Sequence, residues 1–193
     1  RCSRDWSSDV CSSDLTSELA EIFGAEDRVG LPGGRFNVAP TQDAAVVVQR
    51  DDQRAIVAYR WGLVPHWARD LKIGSRMFNA RAETLAGSPA FRDSLARRRC
   101  IVPVDSFYEW KREGSTRQPY RIVRADDRPL ALAGLWAAWK DPASGEVRRT
   151  FTIVTGPANE LVGTLHDRMP IVLADSDWQR WLDPAPEIGR AHV

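Results

Sequence analysis

Short apolar stretches separated by turn residues set the pattern of this chain, and most of them are typical of β-strands. The stretches 44–49 and 54–61 are rich in β-branched and aromatic residues, and the polar residues 50–53 between them predict a hairpin. Further strands are predicted from the same signal, at 100–104, 107–111, 118–124, 130–136, 149–155 and 171–173.

Helical signals are fewer and shorter. Ser17 predicts the cap of a first helix that Gly24 would end. A serine followed by a proline at 88–89 predicts the start of a second helix, and two more are predicted at 157–165 and at 176–182, the latter with serine at its cap. Because strands dominate and do not alternate regularly with helices, the predicted class is α+β, with mostly antiparallel sheets forming a barrel-like core and a few short peripheral helices.

The two ends of the chain differ from its middle. Residues 1–15 contain a near-tandem Ser-Ser-Asp repeat with little to bury, which is typical of disordered sequence. We therefore expect 1–15 to be a non-native leader, 16–183 to form a single domain, and 184–193 to be a non-native tail.

Residues 97–100 join the second predicted helix to the following strand. Three arginines, 97–99, suit the negative end of the helix dipole. Cys100 lies within an apolar strand, so we expect its thiol to be an inert part of the core.

Charge and cysteine content exclude several classes of function. The formal net charge is +1, so any binding to nucleic acid depends on a local basic patch. The three cysteines include no CxxC pair, which argues against a disulfide framework and a zinc site, and His66, His166 and His192 are widely scattered. No metal and no cofactor are predicted.

No apolar run approaches the ~18–20 residues needed to span a bilayer, and no secretory signal precedes the ordered pattern. We therefore expect a cytoplasmic, nucleoid-associated protein without membrane contact. Eight tryptophans are many for 193 residues, and exposed tryptophans can stack on bases.

Three polar residues stand among apolar neighbours at predicted strand ends and loops. They are Asn79 behind Phe78, Glu109 between two aromatic residues, and His166 after Leu165. An amide, a carboxylate and an imidazole in such settings predict one site built from distant parts of the chain. The alternative is three separately satisfied polar groups, and spacing alone leaves both interpretations open.

Five short motifs follow one another along the chain. They are RFNVAPT at 35–41, WGLVPHW at 61–67, NARAET at 79–84, RCIVPVDSFYEW at 99–110 and HDRMP at 166–170. Together and in this order they resemble the SRAP family, the SOS-response-associated peptidases that shield abasic sites in single-stranded DNA. The resemblance extends over about 16–182, and it implies an α+β fold around β-barrel-like sheets with a positively charged groove.

The resemblance also implies a reaction. Autoproteolytic removal of the initiator Met exposes an N-terminal cysteine, whose amine forms a Schiff base with the aldehyde of the ring-opened abasic sugar. The thiol then closes onto it and gives a thiazolidine crosslink, a lyase-like chemistry. A terminal amine titrates near ~7.7–8.0 and a free thiol near ~8.5, so both are partly reactive at neutral pH.

By the same resemblance, three residues are implied as catalytic. Asn79 would hydrogen-bond at the sugar or the amine, Glu109 would position and deprotonate the amine, and His166 would shuttle protons on the ring oxygen. The alternative for His166 is that it caps the end of the preceding helix.

Three further residues are implied in DNA binding. Arg81 and Arg168 would contact the phosphates that flank the lesion, and Trp67 would stack on a base or wedge against it. The alternatives are that Arg81 pairs with Glu83 or Asp167 and that Trp67 belongs to the core. The implied partner is single-stranded DNA containing abasic sites, bound by a monomer without an obligate protein partner.

The beginning of the chain departs from the family pattern, which starts Met-Cys-Gly-Arg and continues with an aromatic residue. Here Cys2 holds the matching position, but it follows Arg1 and precedes Ser3. Cys11 lies inside the Ser-Ser-Asp repeat, so the nucleophile remains unassigned. The family also continues beyond the last predicted helix, so we expect a domain shortened at its C-terminal end.

Two alternative functions follow from these departures. One is a thiol (auto)peptidase, which would cleave in a way that depends on Glu109 and is indifferent to DNA. The other is a non-covalent single-stranded DNA-binding module, whose affinity would fall with salt.

Overall fold

Five strands close into a barrel in the computed structural model, which describes residues 14–29, 38–50, 52–114 and 116–183. Over these ranges the chain forms ten strands: β1 (Ala25–Asp27), β2 (Asp43–Arg50), β3 (Gln53–Trp61), β4 (Asn79–Arg81), β5 (Arg99–Val104), β6 (Phe107–Glu113), β7 (Thr116–Ile122), β8 (Leu130–Lys140), β9 (Val147–Pro157) and β10 (Arg168–Pro170). The barrel runs β3–β2–β5–β8–β9, and pairing of β9 with β3 closes it. The predicted class, an α+β fold with a barrel-like core, is confirmed.

Helices are short and lie outside this barrel. They are α1 (Asp14–Phe23), α2 (Arg92–Arg97), α3 (Glu160–Gly163) and α4 (Trp178–Leu182), with 3₁₀ helices at Leu71–Arg76, Ala82–Thr84 and Asp175–Asp177. Within the described ranges, none of them is long and apolar enough to cross a membrane.

Strand β2 shows why its apolar run is continuous instead of alternating. Val46 and Val48 point into a cluster of side chains from all five barrel strands, whereas Val47 packs outward against α1 and α4. All three valines are fully buried. A strand covered on both faces needs apolar residues at every position, so the helices complete the core that the barrel begins.

A close approach of two backbone segments fixes the loop after β3. Gly62 has a φ of +117°, and a Cβ atom at this position would overlap the carbonyl oxygen of Gly74. The amide of Gly62 donates to the carbonyl of Phe151 in β9, at 2.7 Å. Only glycine fits both the backbone angle and the contact.

Arg99 has a wider role than the predicted one. It begins β5 and is only 4% exposed, and its guanidinium donates to the backbone carbonyls of Leu95 (2.7 Å), Trp181 (2.5 Å) and Asp183. Its bond to Leu95 meets the C-terminal end of α2 as predicted, and its other bonds tie α4 to the barrel as well. Burial lowers the pKa of this guanidinium.

Cys100 follows directly after it and is fully buried, as predicted. Burial raises the pKa of its thiol, because the thiolate would lose its hydration. This cysteine is therefore inert.

Several helix boundaries differ from the predictions. Helix α1 begins at Asp14 and not at Ser17, and α2 begins at Arg92, four residues after the predicted serine cap. Ser88 instead heads a turn, in which its carbonyl accepts from the amides of Phe91 and Arg92. A serine–proline pair suits a turn as well as a helix start, so local sequence cannot separate the two.

The region after β9 was also predicted with the wrong boundaries. The predicted helix 157–165 shrinks to α3, since β9 continues to Pro157. The predicted strand 171–173 is replaced by β10, and Val172 makes only an isolated bridge with Leu132. Ser176 lies inside a 3₁₀ helix that leads into α4, so it does not cap that helix.

Candidate active site

The last residues of β9 are flanked on one edge by β4 and paired with β10. Strand β4 runs parallel to β9 and matches Arg81 with Thr155, while β10 runs antiparallel and matches Arg168 with Pro157. Directly paired residues share a face of a sheet, and residues two apart along a strand do so as well. Asn79, Arg81, Thr155 and Arg168 therefore occupy one face, which is continuous with the barrel interior at Ile153.

Asn79 and Arg81 are exposed on this face, whereas Ala80 between them is buried. In the described part of the chain, no hydrogen bond reaches the Asn79 amide and no ion pair reaches Arg81. A free amide and a free guanidinium on a rigid strand can both bind a ligand without first breaking a contact.

Arg168 is held by a carboxylate. Its two terminal nitrogens donate to the two carboxylate oxygens of Glu83, at 3.1 and 2.9 Å, and one of them also reaches the carbonyl of Thr155 at 2.9 Å. The hydrogen bonds from Arg168 lower the pKa of Glu83. The hydrogen-bonded partner of Glu83 is thus Arg168. Arg81 interacts with Glu83 only electrostatically, and among the described residues it forms no ion pair with Glu83 or Asp167.

His166 lies in the turn between α3 and β10. Its Nδ1 lies 3.0 Å from both the backbone amide nitrogen and the backbone carbonyl oxygen of Arg168, so it accepts from the amide in the Nε2–H tautomer and donates to the carbonyl in the Nδ1–H tautomer. When the ring is protonated, Nδ1 can instead donate to Asp167, whose Oδ1 is 3.2 Å away. The contacts of the ring are with residues that follow it in the chain. It is the backbone amide of His166, and not its side chain, that donates to the carbonyl of Val162 in α3. The alternative that its side chain caps this helix is wrong.

Glu109 belongs to a separate two-stranded sheet formed by β6 and β7, and its carboxyl interacts electrostatically with His166. Burial raises the pKa of the Glu109 carboxyl, and the positive charge of His166 opposes that rise. The two side chains are thus close enough for their charges to interact. A half-buried carboxylate with a raised pKa beside an imidazole is suited to proton transfer.

Tyr108 and Trp110 point to the opposite side of β6 from Glu109, because side chains alternate along a strand. Both are about half exposed, at 47% and 51%, and their ring centroids lie 6.4 Å apart. The sequence reasoning used Phe107–Trp110 as a motif but missed this division, although the period of two was visible in the sequence.

Trp67 lies in the loop after β3 and is 50% exposed. Its indole nitrogen reaches the carbonyl of Pro89 at 3.5 Å, a long hydrogen bond. The alternative that Trp67 belongs to the core is wrong, and its exposed face is available to stack on a ligand.

The structure thus brings together Asn79, Arg81, Arg168 and His166 around the end of β9, with Glu109 in electrostatic interaction with His166. The site also contains Glu83, which sequence reasoning considered only as a partner of Arg81. No local signal could have assigned it to Arg168, since the two residues are 85 positions apart in the chain. Within the described ranges, no group of three His, Cys, Asp or Glu side chains is placed to hold a metal ion.

The predicted leader, the candidate nucleophile Cys2, the alternative Cys11 and the predicted tail 184–193 lie outside the described residues, except that Asp14 and Leu15 belong to α1. Residues 35–37 of the first family-like motif also lie outside them.

Comparison with known proteins agrees with this architecture. The chain is 45% identical to the abasic site processing protein YoqW of Bacillus subtilis over 159 residues, which cover 80% of this chain and 70% of that protein. It is 31% identical to the abasic site processing protein HMCES of Xenopus tropicalis, covering 77% of this chain and 53% of that protein. A crystal structure of a protein from Bacteroides thetaiotaomicron superimposes with a TM-score of 0.83 at 27% identity, covering 94% of this chain and 82% of that one. The family described as SOS response associated peptidase (SRAP) matches residues 7–191, and the chain belongs to this family.

Proposed function

We propose that this protein recognises abasic sites in single-stranded DNA and that its intact form crosslinks to them through an N-terminal cysteine. The observation that carries the proposal is the arrangement of Asn79, Arg81 and Arg168 on one face at the end of β9, where His166 contacts the backbone of Arg168 and interacts electrostatically with Glu109. The relatives named as abasic site processing proteins support the same substrate.

The proposed reaction begins with the abasic sugar. Protonated His166 donates its Nε2 proton to the ring oxygen while the C1 hydroxyl loses its proton to water, so the bond between C1 and the ring oxygen breaks and the sugar opens to its aldehyde. Glu109 accepts a proton from the terminal ammonium, and the resulting amine attacks the aldehyde carbon. Loss of one water gives the imine, and addition of the thiol across the C=N bond closes the thiazolidine, with the thiol proton passing to nitrogen. Asn79 fixes the sugar or the amine by hydrogen bonding.

DNA binding is assigned to the exposed groups around this centre. Arg81 contacts a flanking phosphate, and Trp67 stacks on a base or wedges beside it. Arg168 contributes less to phosphate binding, because Glu83 already takes its two terminal nitrogens. We assign a monomer with no obligate protein partner to this role.

For the chain as printed, non-covalent binding of single-stranded DNA is the second candidate function. It is favoured by the exposed Trp67 and by Arg81, which has no ion pair among the residues the structure describes, since neither needs a nucleophile. The autopeptidase activity is confined to removal of the initiator Met, for which Glu109 is the proposed base.

The test uses a version that begins Met-Cys-Gly-Arg-Phe immediately before Thr16, beside the chain as printed. Each is incubated with a single-stranded oligonucleotide that carries one abasic site and is run on a denaturing gel. We expect a shifted band from the first version only, and Glu109→Gln should slow its appearance by about 100-fold or more while DNA affinity is kept.

The other outcomes separate the alternatives. A band from both proteins would assign the nucleophile to Cys2. A folded first version that loses its Met but gives no band would support a peptidase, and one that binds DNA without either change would support a binding module. An unchanged rate in Glu109→Gln would remove this carboxylate from the mechanism.

A further inference from the structure

We propose that Glu83 is a positioning residue for the acid–base group His166, and that it acts through Arg168. The structural part of this inference does not depend on the reaction. Its catalytic consequence rests on the proposed function.

One guanidinium joins three elements at the site. The carboxylate comes from the 3₁₀ helix Ala82–Thr84, which continues the strand that carries Asn79. The guanidinium itself comes from β10, and it also donates to the Thr155 carbonyl in β9. Glu83 therefore fixes where β10 lies against the end of β9.

The main chain of the same arginine holds the imidazole. The backbone amide and the backbone carbonyl of Arg168 both lie 3.0 Å from His166 Nδ1, so the ring is oriented by the residue whose side chain Glu83 holds. The connection runs from the Glu83 carboxylate to the Arg168 guanidinium, along β10 to the Arg168 amide, and from there to the imidazole. It leaves Nε2 as the ring atom that faces away from β10 and is available for proton transfer.

Removal of the Glu83 carboxylate would make the present position of the Arg168 guanidinium less favourable. Its Nε is buried and has no hydrogen-bond acceptor within the residues the structure describes. The two bonds to the carboxylate offset this unsatisfied donor. Without them, the side chain would gain hydration by swinging towards solvent, and the bond to Thr155 would be lost with it.

The Glu83–Arg168 pair contributes little to folding. The side chain of Arg168 is 22% exposed and that of Glu83 is 41% exposed, and partly exposed ion pairs stabilise proteins only weakly. The pair fixes the three-residue strand β10 next to the acid–base group His166. Its presence is therefore better explained by orientation of this group than by stability. The other charged groups near the imidazole are Glu109 and Asp167.

The first test uses the chain as printed and needs no reaction. Imidazole proton–nitrogen correlation spectra distinguish the two tautomers of His166, which His166→Gln identifies among the three histidines. We expect Glu83→Gln to change the balance of the two His166 tautomers relative to the parent, because the Arg168 backbone that contacts Nδ1 is then no longer held in place. His66, exposed in the loop after β3, serves as the internal reference.

Glu26→Gln is the matched control, since it also removes a glutamate from an exposed pair with an arginine, Arg28 at 2.6 Å, in β1. It should leave the His166 signals unchanged. An identical His166 tautomer in Glu83→Gln and in the parent would overturn the inference.

The second test measures the crosslinking rate at saturating abasic DNA in the version that begins Met-Cys-Gly-Arg-Phe, so that changes in affinity do not enter. Glu83→Gln should lower this rate by about tenfold or more, because a misplaced acid–base group is costly, whereas Glu26→Gln should not. If the reference version does not crosslink at all, the proposed function fails. If it crosslinks and Glu83→Gln is equally fast, the proposed role of Glu83 fails while the function stands.

Discussion

Arg81 and Arg168 should contribute unequally to the salt dependence of DNA binding, although both lie on one face of the sheet. Arg81 is exposed and has no ion pair within the described part of the chain, so its charge can neutralise a phosphate. The charge of Arg168 is already balanced by Glu83. Together this pair presents no net charge to the DNA.

The magnitude follows from counterion release. Each phosphate that a protein neutralises on single-stranded DNA contributes about −0.7 to the slope of log affinity against log salt. Arg81→Gln should therefore make the slope shallower by about 0.7. Between about 50 mM and about 200 mM salt, this corresponds to a change of about 2.6-fold in the affinity ratio of parent to variant.

The matched comparison is the double variant Glu83→Gln with Arg168→Gln, which removes the pair and leaves the net charge unchanged. Its salt slope should equal that of the parent. Arg81→Lys provides the second control, since it keeps the charge and should keep the slope. Fluorescence anisotropy with an undamaged single-stranded oligonucleotide and the chain as printed measures all four proteins without covalent chemistry.

Two results would refute this reasoning. An unchanged slope in Arg81→Gln would show that this guanidinium neutralises no phosphate. A loss of about 0.7 in the double variant would show that Arg168 exchanges its carboxylate partner for a phosphate when DNA binds.

Three further predictions concern stability and pH. Arg99→Met should lower the free energy of unfolding in urea by about 3 to 5 kcal/mol, because three backbone carbonyls lose a charged donor, whereas Arg97→Met on the exposed end of α2 should change it by less than about 0.5 kcal/mol. Gly62→Ala should destabilise by about 3 kcal/mol or more in the same assay, since the new Cβ meets the Gly74 carbonyl at a positive φ. The crosslinking rate should fall on acidification at a pH above the ordinary glutamate pKa of about 4.3, because burial raises the pKa of Glu109 and the base works only when ionised. A pH–rate profile whose acid limb lies below that value would contradict it.

The long strands could be predicted from sequence, whereas the shortest ones could not. The hairpin of β2 and β3 carries its own signal, since each strand is a run of β-branched residues long enough to be distinctive. Strands β4 and β10 have three residues each and exist because β9 offers free edges for pairing. No local pattern encodes such pairing, so Asn79–Arg81 was recognised as a motif without its strand.

The candidate site shows the same division. Asn79, Glu109 and His166 were recognised because their residue types and neighbours match a known set of motifs. The contact between Glu83 and Arg168 depends on atoms that folding brings together across 85 positions of the chain. The tautomer of His166 likewise depends on neighbours that only the folded backbone provides. Family motifs can therefore point to candidate site residues, but they do not show which neighbours orient them.

The charge distribution bears on how the proposed function could be selective. A net charge of +1 and an arginine neutralised by Glu83 give weak general attraction to DNA, in which every nucleotide carries a phosphate. Strong non-specific binding would hold the protein on undamaged strands, where no aldehyde is available. A protein with modest affinity can instead sample many positions and be retained only where the amine and thiol react. In this arrangement the chemistry assembled around the end of β9 supplies the selectivity, and Arg81 and Trp67 need only present the strand to it.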